Sequence, residues 1–153
     1  MANTFSQIYL HFVFAVKNRQ NLIPKEHKEE LHKYITALVQ HRKSKMLAVH
    51  CMPDHAHLFV GFNPAVLISD FIKEIKVESN EFIQSKNWCP QKFMWQQGYG
   101  VFSYSHSAIH NVVQYILNQE AHHSKQNFKT EYHSLLKKFD IPFEEKFSFT
   151  FFD

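Results

Sequence analysis

Apolar residues alternate along the start of the chain. Ile8, Leu10, Phe12, Phe14 and Val16 fall on one face at period two, and Tyr9, His11, Val13 and Ala15 leave the other face largely apolar as well, the pattern of a central strand. The polar run Lys17-Asn18-Arg19-Gln20-Asn21 ends it as a loop. Pro24 then stands near the start of a helix reaching about Lys43, with Leu31, Tyr34, Ile35, Leu38 and Val39 at helical spacing. A second strand is predicted from Met46 to Met52. Pro53-Asp54 turns the chain into a third, His55 to Phe62, and Asn63-Pro64 breaks that strand. From about Val66 to Ser85 the stripe Leu67, Ile68, Phe71, Ile72, Ile75, Phe82 and Ile83 predicts a second helix.

Trp88 to Gly98 reads as a loop with room for a short strand, and Gly100 to Ser105 as a fourth strand. Helices are predicted from about Ser107 to Ser124 and from about Asn127 to Phe139, while the aromatic tail Ile141 to Phe152 shows no period. The order β-α-β-β-α-β followed by two helices is the split βαβ pattern. It predicts an α+β, ferredoxin-like (RRM-like) antiparallel sheet of four strands, with two helices on one face and the C-terminal helices added. No repeat, low-complexity segment or linker divides the chain, so residues 1–153 are expected to form one domain.

Composition narrows the chemistry. With 44% hydrophobic and 20% charged residues the chain is expected to fold without disulfides or a structural metal. Its 3 glycines form neither GxGxxG nor GxxxxGK[ST], so no nucleotide cofactor of those types is expected. A net charge of +3 is compatible with a polyanionic partner without demanding one. Cys51 and Cys89 form no CxxC pair and read as reduced, cytoplasmic thiols. Met1-Ala2-Asn3-Thr4 lacks the marks of a signal peptide, and the apolar run from Tyr9 to Val16 is too short to span a membrane.

Two constellations can carry chemistry. In Asp54-His55-Ala56-His57-Leu58, strand alternation sends Ala56, Leu58 and Val60 to one face and sets His55 and His57 side by side on the opposite surface, a spacing suited to one divalent metal. Other HxH chemistries need further parts that are missing, because Phe59-Val60 follow where an Asp-His pair or a third histidine would stand. On the helix beginning near Ser107, Asn111, Tyr115, Asn118, Gln119 and His122 lie within roughly 60° of one another's mean direction. Ile109, Val112, Val113, Ile116 and Leu117 occupy the other arc, so Tyr115 is centred on a polar stripe. Together these parts suggest phosphoryl chemistry, with a metal at His55 and His57, Tyr115 as nucleophile, and the Gln119 amide oxygen completing the coordination.

His55-Ala56-His57 resembles the HUH motif, and Tyr115-Ile116-Leu117-Asn118-Gln119 resembles the YxxxQ helix motif, of single-tyrosine transposases of the insertion sequence 200-like family, including their repeat-associated relatives. The segments Val13 to Ile23, Met52 to His55, Gly98 to Ser103 and Tyr115 to His123 are similar to that family in the same order, as are Phe128, Glu131, Leu135 and Leu136. Ala56 is smaller than the family's usual middle residue, and the Phe-rich tail after Asp140 matches no family motif. The resemblance implies a Mg²⁺- or Mn²⁺-dependent enzyme that cuts and rejoins single-stranded DNA at element ends. Tyr115 would form a 5′-phosphotyrosine, and His55, His57 and Gln119 would be metal ligands. It further implies DNA hairpins as partners and a homodimer as the working form.

Other residues have plainer roles open to them. Arg42-Lys43-Ser44-Lys45, Lys73 and Lys76 could neutralise phosphates, or form solvated helix surfaces. Trp95, Tyr99, Phe102 and Tyr104 could stack on unpaired bases, or pack in a core or interface. His122 and His123 could reach DNA or the metal's surroundings, or simply suit a helix C-terminus. The alternative to a strand-transfer enzyme is a non-catalytic module of the same fold that binds single-stranded DNA hairpins. The complete set His55, His57, Tyr115 and Gln119 favours the enzyme, since binding alone needs no metal ligands.

Overall fold

Four strands, β1 (Tyr9–Ala15), β2 (Lys45–Met52), β3 (His55–Gly61) and β4 (Gly100–Tyr104), form one antiparallel sheet in the order β2-β3-β1-β4. The computed structural model describes residues 4–123 and 126–143. The segments predicted at Ser124 and in the tail beyond Phe143 lie outside the described residues. Helices α1 (Lys28–His41) and α2 (Ile68–Lys86) are the two crossovers, and α3 (Ile109–Leu117), α4 (Gln119–His123) and α5 (Phe128–Lys138) follow the last strand. This is the expected ferredoxin-like arrangement. α1 starts later than Pro24 because Lys25–His27 form a 3₁₀ turn first. The Trp88 to Gly98 loop contributes a single bridge, Trp95 to Val16, in place of a strand.

Each face of the sheet is buried by different helices. Leu10, Phe12, Phe14 and Val16 of β1 join Ala56, Leu58 and Val60 of β3 against Leu31, Ile35 and Val39 of α1 and Phe71, Ile72 and Ile75 of α2. Leu67, expected in the α2 stripe, precedes the helix and is exposed. On the other face, α3 sets Val112 and Ile116 against Ala48 and Phe59. α5 sets Phe128, Tyr132, Leu135 and Leu136 against Val13, Ala15 and Phe102. Gly100 admits this packing, because a Cβ there would lie 2.9 Å from the Tyr132 ring. Asn127 caps α5 by accepting the Thr130 N–H at 2.9 Å, which fixes where the helix begins.

Several sequence candidates are absorbed by this architecture. Arg42 is held by Glu74 and Glu78 of α2 and by the Leu38 carbonyl. Lys76 donates to the carbonyls of Gln96 and Gly98 at 2.6 and 2.8 Å. Trp95 is buried, with Nε1 donating to Ser79 Oγ at 2.9 Å, and Phe102 is buried under α5. Cys51 is buried, and burial pushes its thiol up to about 12.

The buried histidines make the fold sensitive to acid. The Cys51 backbone N–H donates to His32 Nε2 at 2.9 Å, so that nitrogen must stay unprotonated. Burial lowers the His32 pKa from 6.5 to about 4, partly opposed by Glu29. Between those values the unfolded chain binds the extra proton and the folded protein does not. His32 therefore contributes stability that is fully present above pH 6.5 and lost as pH falls towards 4. Urea midpoints are expected to drop across that window, and to drop less in His32→Gln, whose amide oxygen can still accept from Cys51. Equal drops in both proteins would place the acid sensitivity elsewhere.

Candidate active site

β3 carries His55 and His57 on the face covered by α3 to α5. Neither is on the surface, contrary to the exposed pair expected from the strand pattern, and both are 0% exposed. Alternation does put the two rings on one face. That face is then roofed by helices whose docking no short segment of sequence encodes. Phe128 of α5 stacks on His55 with ring centroids 4.0 Å apart, and Tyr115 stands edge-on to His57 at 6.0 Å.

The two imidazoles are held from behind at their Nδ1 atoms. His55 Nδ1 lies 2.7 Å from Asp54 Oδ1, and Asp54 is itself paired with Arg19 at 3.3 Å. His57 Nδ1 lies 2.8 Å from His11 Nε2. Both Nε2 atoms consequently point the same way, towards the Glu131 carboxylate, at 3.7 Å from His55 and 3.4 Å from His57. One donor atom each from His55, His57 and Glu131 falls within a 4.8 Å cluster, a set able to hold a metal ion. His57 Nε2 is buried and has no hydrogen-bond partner among the described residues, an unmet polar atom facing the Glu131 carboxylate.

Tyr115 and Gln119 arrive from the same side. The helix predicted through Ser124 breaks at Asn118, and the Gln119 side chain reaches back to the Tyr115 carbonyl at 3.4 Å. The break turns Gln119 inwards, where it is fully buried. Its Oε1 lies 3.5 Å from His55 Nε2 and 3.1 Å from His123 Nε2, and its Nε2 donates to Glu131 Oε2 at 3.0 Å. The Tyr115 hydroxyl donates to the same Glu131 oxygen. Tyr115 is thus half-buried with its hydroxyl turned into the site, while Asn111 and Asn118 of the polar stripe remain exposed. The four candidates His55, His57, Tyr115 and Gln119 all come together; the His122 side chain lies outside the described residues.

Glu131 and His11 received no role from sequence reasoning. Glu131 stands in an amphipathic helix among residues similar to the transposase family, and that position was its only signal. His11 interrupts an otherwise apolar strand, which was the one mark that set it apart. The electrostatics follow from burial. Burial holds His11 and His55 below the usual histidine value, against the opposing Asp54 hydrogen bond in the case of His55. Burial and then the facing Glu131 raise the Tyr115 phenol well above its usual range. Burial alone would raise the Glu131 carboxyl, but the facing His57, with a hydrogen bond from His123, brings it well below the carboxylate range. The resting pair is therefore a neutral phenol and an ionised carboxylate.

A four-stranded antiparallel sheet with helices on both faces is a fold shared with solved transposase structures. Residues 4–119 match the family described as Transposase IS200 like, and the chain belongs to that family. The ISDra2 transposase TnpA of Deinococcus radiodurans is 24% identical over 127 residues, covering 78% of this chain and 87% of the relative. A Deinococcus radiodurans R1 crystal structure described as a transposase superposes with a TM-score of 0.63 at 25% identity, over 78% of this chain and 95% of the other. A REP-associated tyrosine transposase bound to a REP hairpin shares the fold with a TM-score of 0.59 at 18% identity, over 80% of this chain and 73% of that one. Among the described residues no helix is long and apolar enough to cross a membrane.

Proposed function

We propose that this transposase cleaves and rejoins single-stranded DNA at element ends through a 5′-phosphotyrosine on Tyr115. The observation that carries the reading is the convergence of Tyr115 from α3 and of His55 and His57 from β3 on one carboxylate of α5, Glu131. A tyrosine needed only for packing would not turn its hydroxyl towards two histidines that each have Nε2 facing inwards.

His55 and His57 would hold a divalent cation through Nε2, with oxygen from Glu131 or Gln119 completing the set. Mixed imidazole and oxygen donors suit Mn²⁺ and are compatible with Mg²⁺. Bound there, such a cation supplies positive charge that polarises a phosphodiester oxygen and favours the phenolate. Tyr115 forms the new bond from Oη to phosphorus as the bond from phosphorus to the 3′ oxygen breaks. The DNA 5′ end stays on Tyr115 and a 3′-OH is released, the proton lost by the phenol balancing the one gained by the 3′ oxygen. Rejoining reverses the exchange when a 3′-OH attacks the phosphotyrosine and the phenol is restored. Gln119 and Glu131 orient Tyr115 between these steps.

The reading takes DNA hairpins as the recognised substrate and a homodimer as the working form. Tyr115 faces the histidines of its own chain. Single-stranded DNA from both flanks of the gene, incubated with protein and Mg²⁺, is expected to give a covalent adduct on denaturing gels. The adduct should vanish on chelation and in His57→Ala. Tight hairpin binding by folded dimer with no adduct would instead make the chain a binding module.

A further inference from the structure

His11 lies in the middle of β1 with none of its surface exposed, between the rings of Phe102, Tyr104 and Tyr115. Its Nε2 meets His57 Nδ1 at 2.8 Å, and its own Nδ1 has no partner among the described residues. A buried polar group left unmet costs about 1–3 kcal/mol. Phenylalanine would fill this aromatic enclosure without that cost, so packing does not account for an imidazole here. The contact is fixed by backbone pairing: His11 is directly opposite Phe59 and Val13 opposite His57, which puts His11 and His57 on the diagonal of one face.

Only one hydrogen fits between the two nitrogens. If His11 donates it, His57 must carry its own hydrogen on Nε2 and has no lone pair to offer there. If His57 donates it, Nε2 of His57 is bare and His11 carries its hydrogen on Nδ1. We propose that His11 is a positioning residue that accepts the Nδ1 hydrogen of His57 and so holds that ring in the tautomer able to ligate a divalent cation through Nε2. The inference rests on the metal role proposed for His55 and His57. Asp54 does the corresponding work behind His55. An imidazole behind His57 adds no negative charge, so more of the cation's charge is left for a phosphate.

The test uses the full chain and Mn²⁺ titration followed by electron paramagnetic resonance. His11→Phe fills the same space without an acceptor and is expected to weaken Mn²⁺ binding about 10–100-fold, while the metal-free melting temperature stays at or above the wild-type value. His11→Gln, which places an amide oxygen near the lost Nε2, is expected to recover part of the affinity. Long-range ¹H–¹⁵N spectra of the Mg²⁺-loaded wild type are expected to show hydrogen on His57 Nδ1, and they decide the matter if His11→Phe does not fold. Wild-type affinity in folded His11→Phe, or a bare His57 Nδ1 in the loaded wild type, overturns the role of His11 and leaves the metal reading standing. No Mn²⁺ binding by the wild type overturns the metal reading and the role of His11 with it.

Discussion

Tyr115→Phe is expected to abolish the covalent protein–DNA adduct while the protein remains folded and still binds hairpin DNA. The substitution removes one oxygen and keeps the ring, so the edge-on contacts with His57 and His11 survive. What is lost is the hydroxyl donated to Glu131, a hydrogen bond to a charged acceptor of about 1.5–3 kcal/mol. Glu131 keeps Gln119 and His123 as partners, at 3.0 and 3.1 Å, so its charge is not stranded. A fall of a few degrees in melting temperature is therefore compatible with complete loss of the adduct. Denaturing gels read the adduct, and gel shifts with the same DNA read binding. An adduct that persists in Tyr115→Phe would assign the nucleophile to another residue and overturn the proposed chemistry.

Glu131→Ala is expected to be the most damaging single change in the site. Tyr115 Oη, Gln119 Nε2 and His123 Nε2 share this one carboxylate, and His57 faces it at 3.4 Å. Leaving such donors unmet in a buried site costs on the order of 1–3 kcal/mol each, so a total of about 3–5 kcal/mol is expected. The helix that carries Glu131 also covers His55 through Phe128, so its loosening would expose the histidines. Glu131→Gln, which keeps the volume and one acceptor, is expected to restore most of the stability but not the Mn²⁺ affinity. Chemical denaturation reads the first effect and Mn²⁺ titration the second. Wild-type stability in Glu131→Ala would remove Glu131 from the centre of the network, and wild-type Mn²⁺ affinity in Glu131→Gln would leave Gln119 as the third ligand.

Much of this was legible before any coordinates. Ile8 to Val16 announced a strand apolar on both faces, and β1 is indeed an interior strand, paired with β3 on one side and β4 on the other. His55 and His57 were set on one face by alternation, and Tyr115 and Gln119 were marked by their place on a helix. The roof over that face was not legible. A polar stripe centred on Tyr115 says nothing of what covers it, yet the chain breaks at Asn118 and folds Gln119 under α5. Glu131 in isolation is an ordinary carboxylate in the first turns of an amphipathic helix.

Period two in a strand and period 3.6 in a helix are local properties, set by backbone geometry and the side chains of a few neighbouring residues. The sequence by itself therefore determined the four strands and the two crossover helices, their order, the fold class, and the faces on which His55, His57 and Tyr115 stand. Which faces meet depends on contacts between residues far apart in the chain. Only the tertiary structure decided that Glu131 of α5 would stand before His55 and His57 of β3, and that His11 of β1 would stand behind His57. Burial there changes the chemistry as well as the position. Out of water, the carboxylate and the imidazoles are bound to particular partners, and that pairing turns common residues into one site.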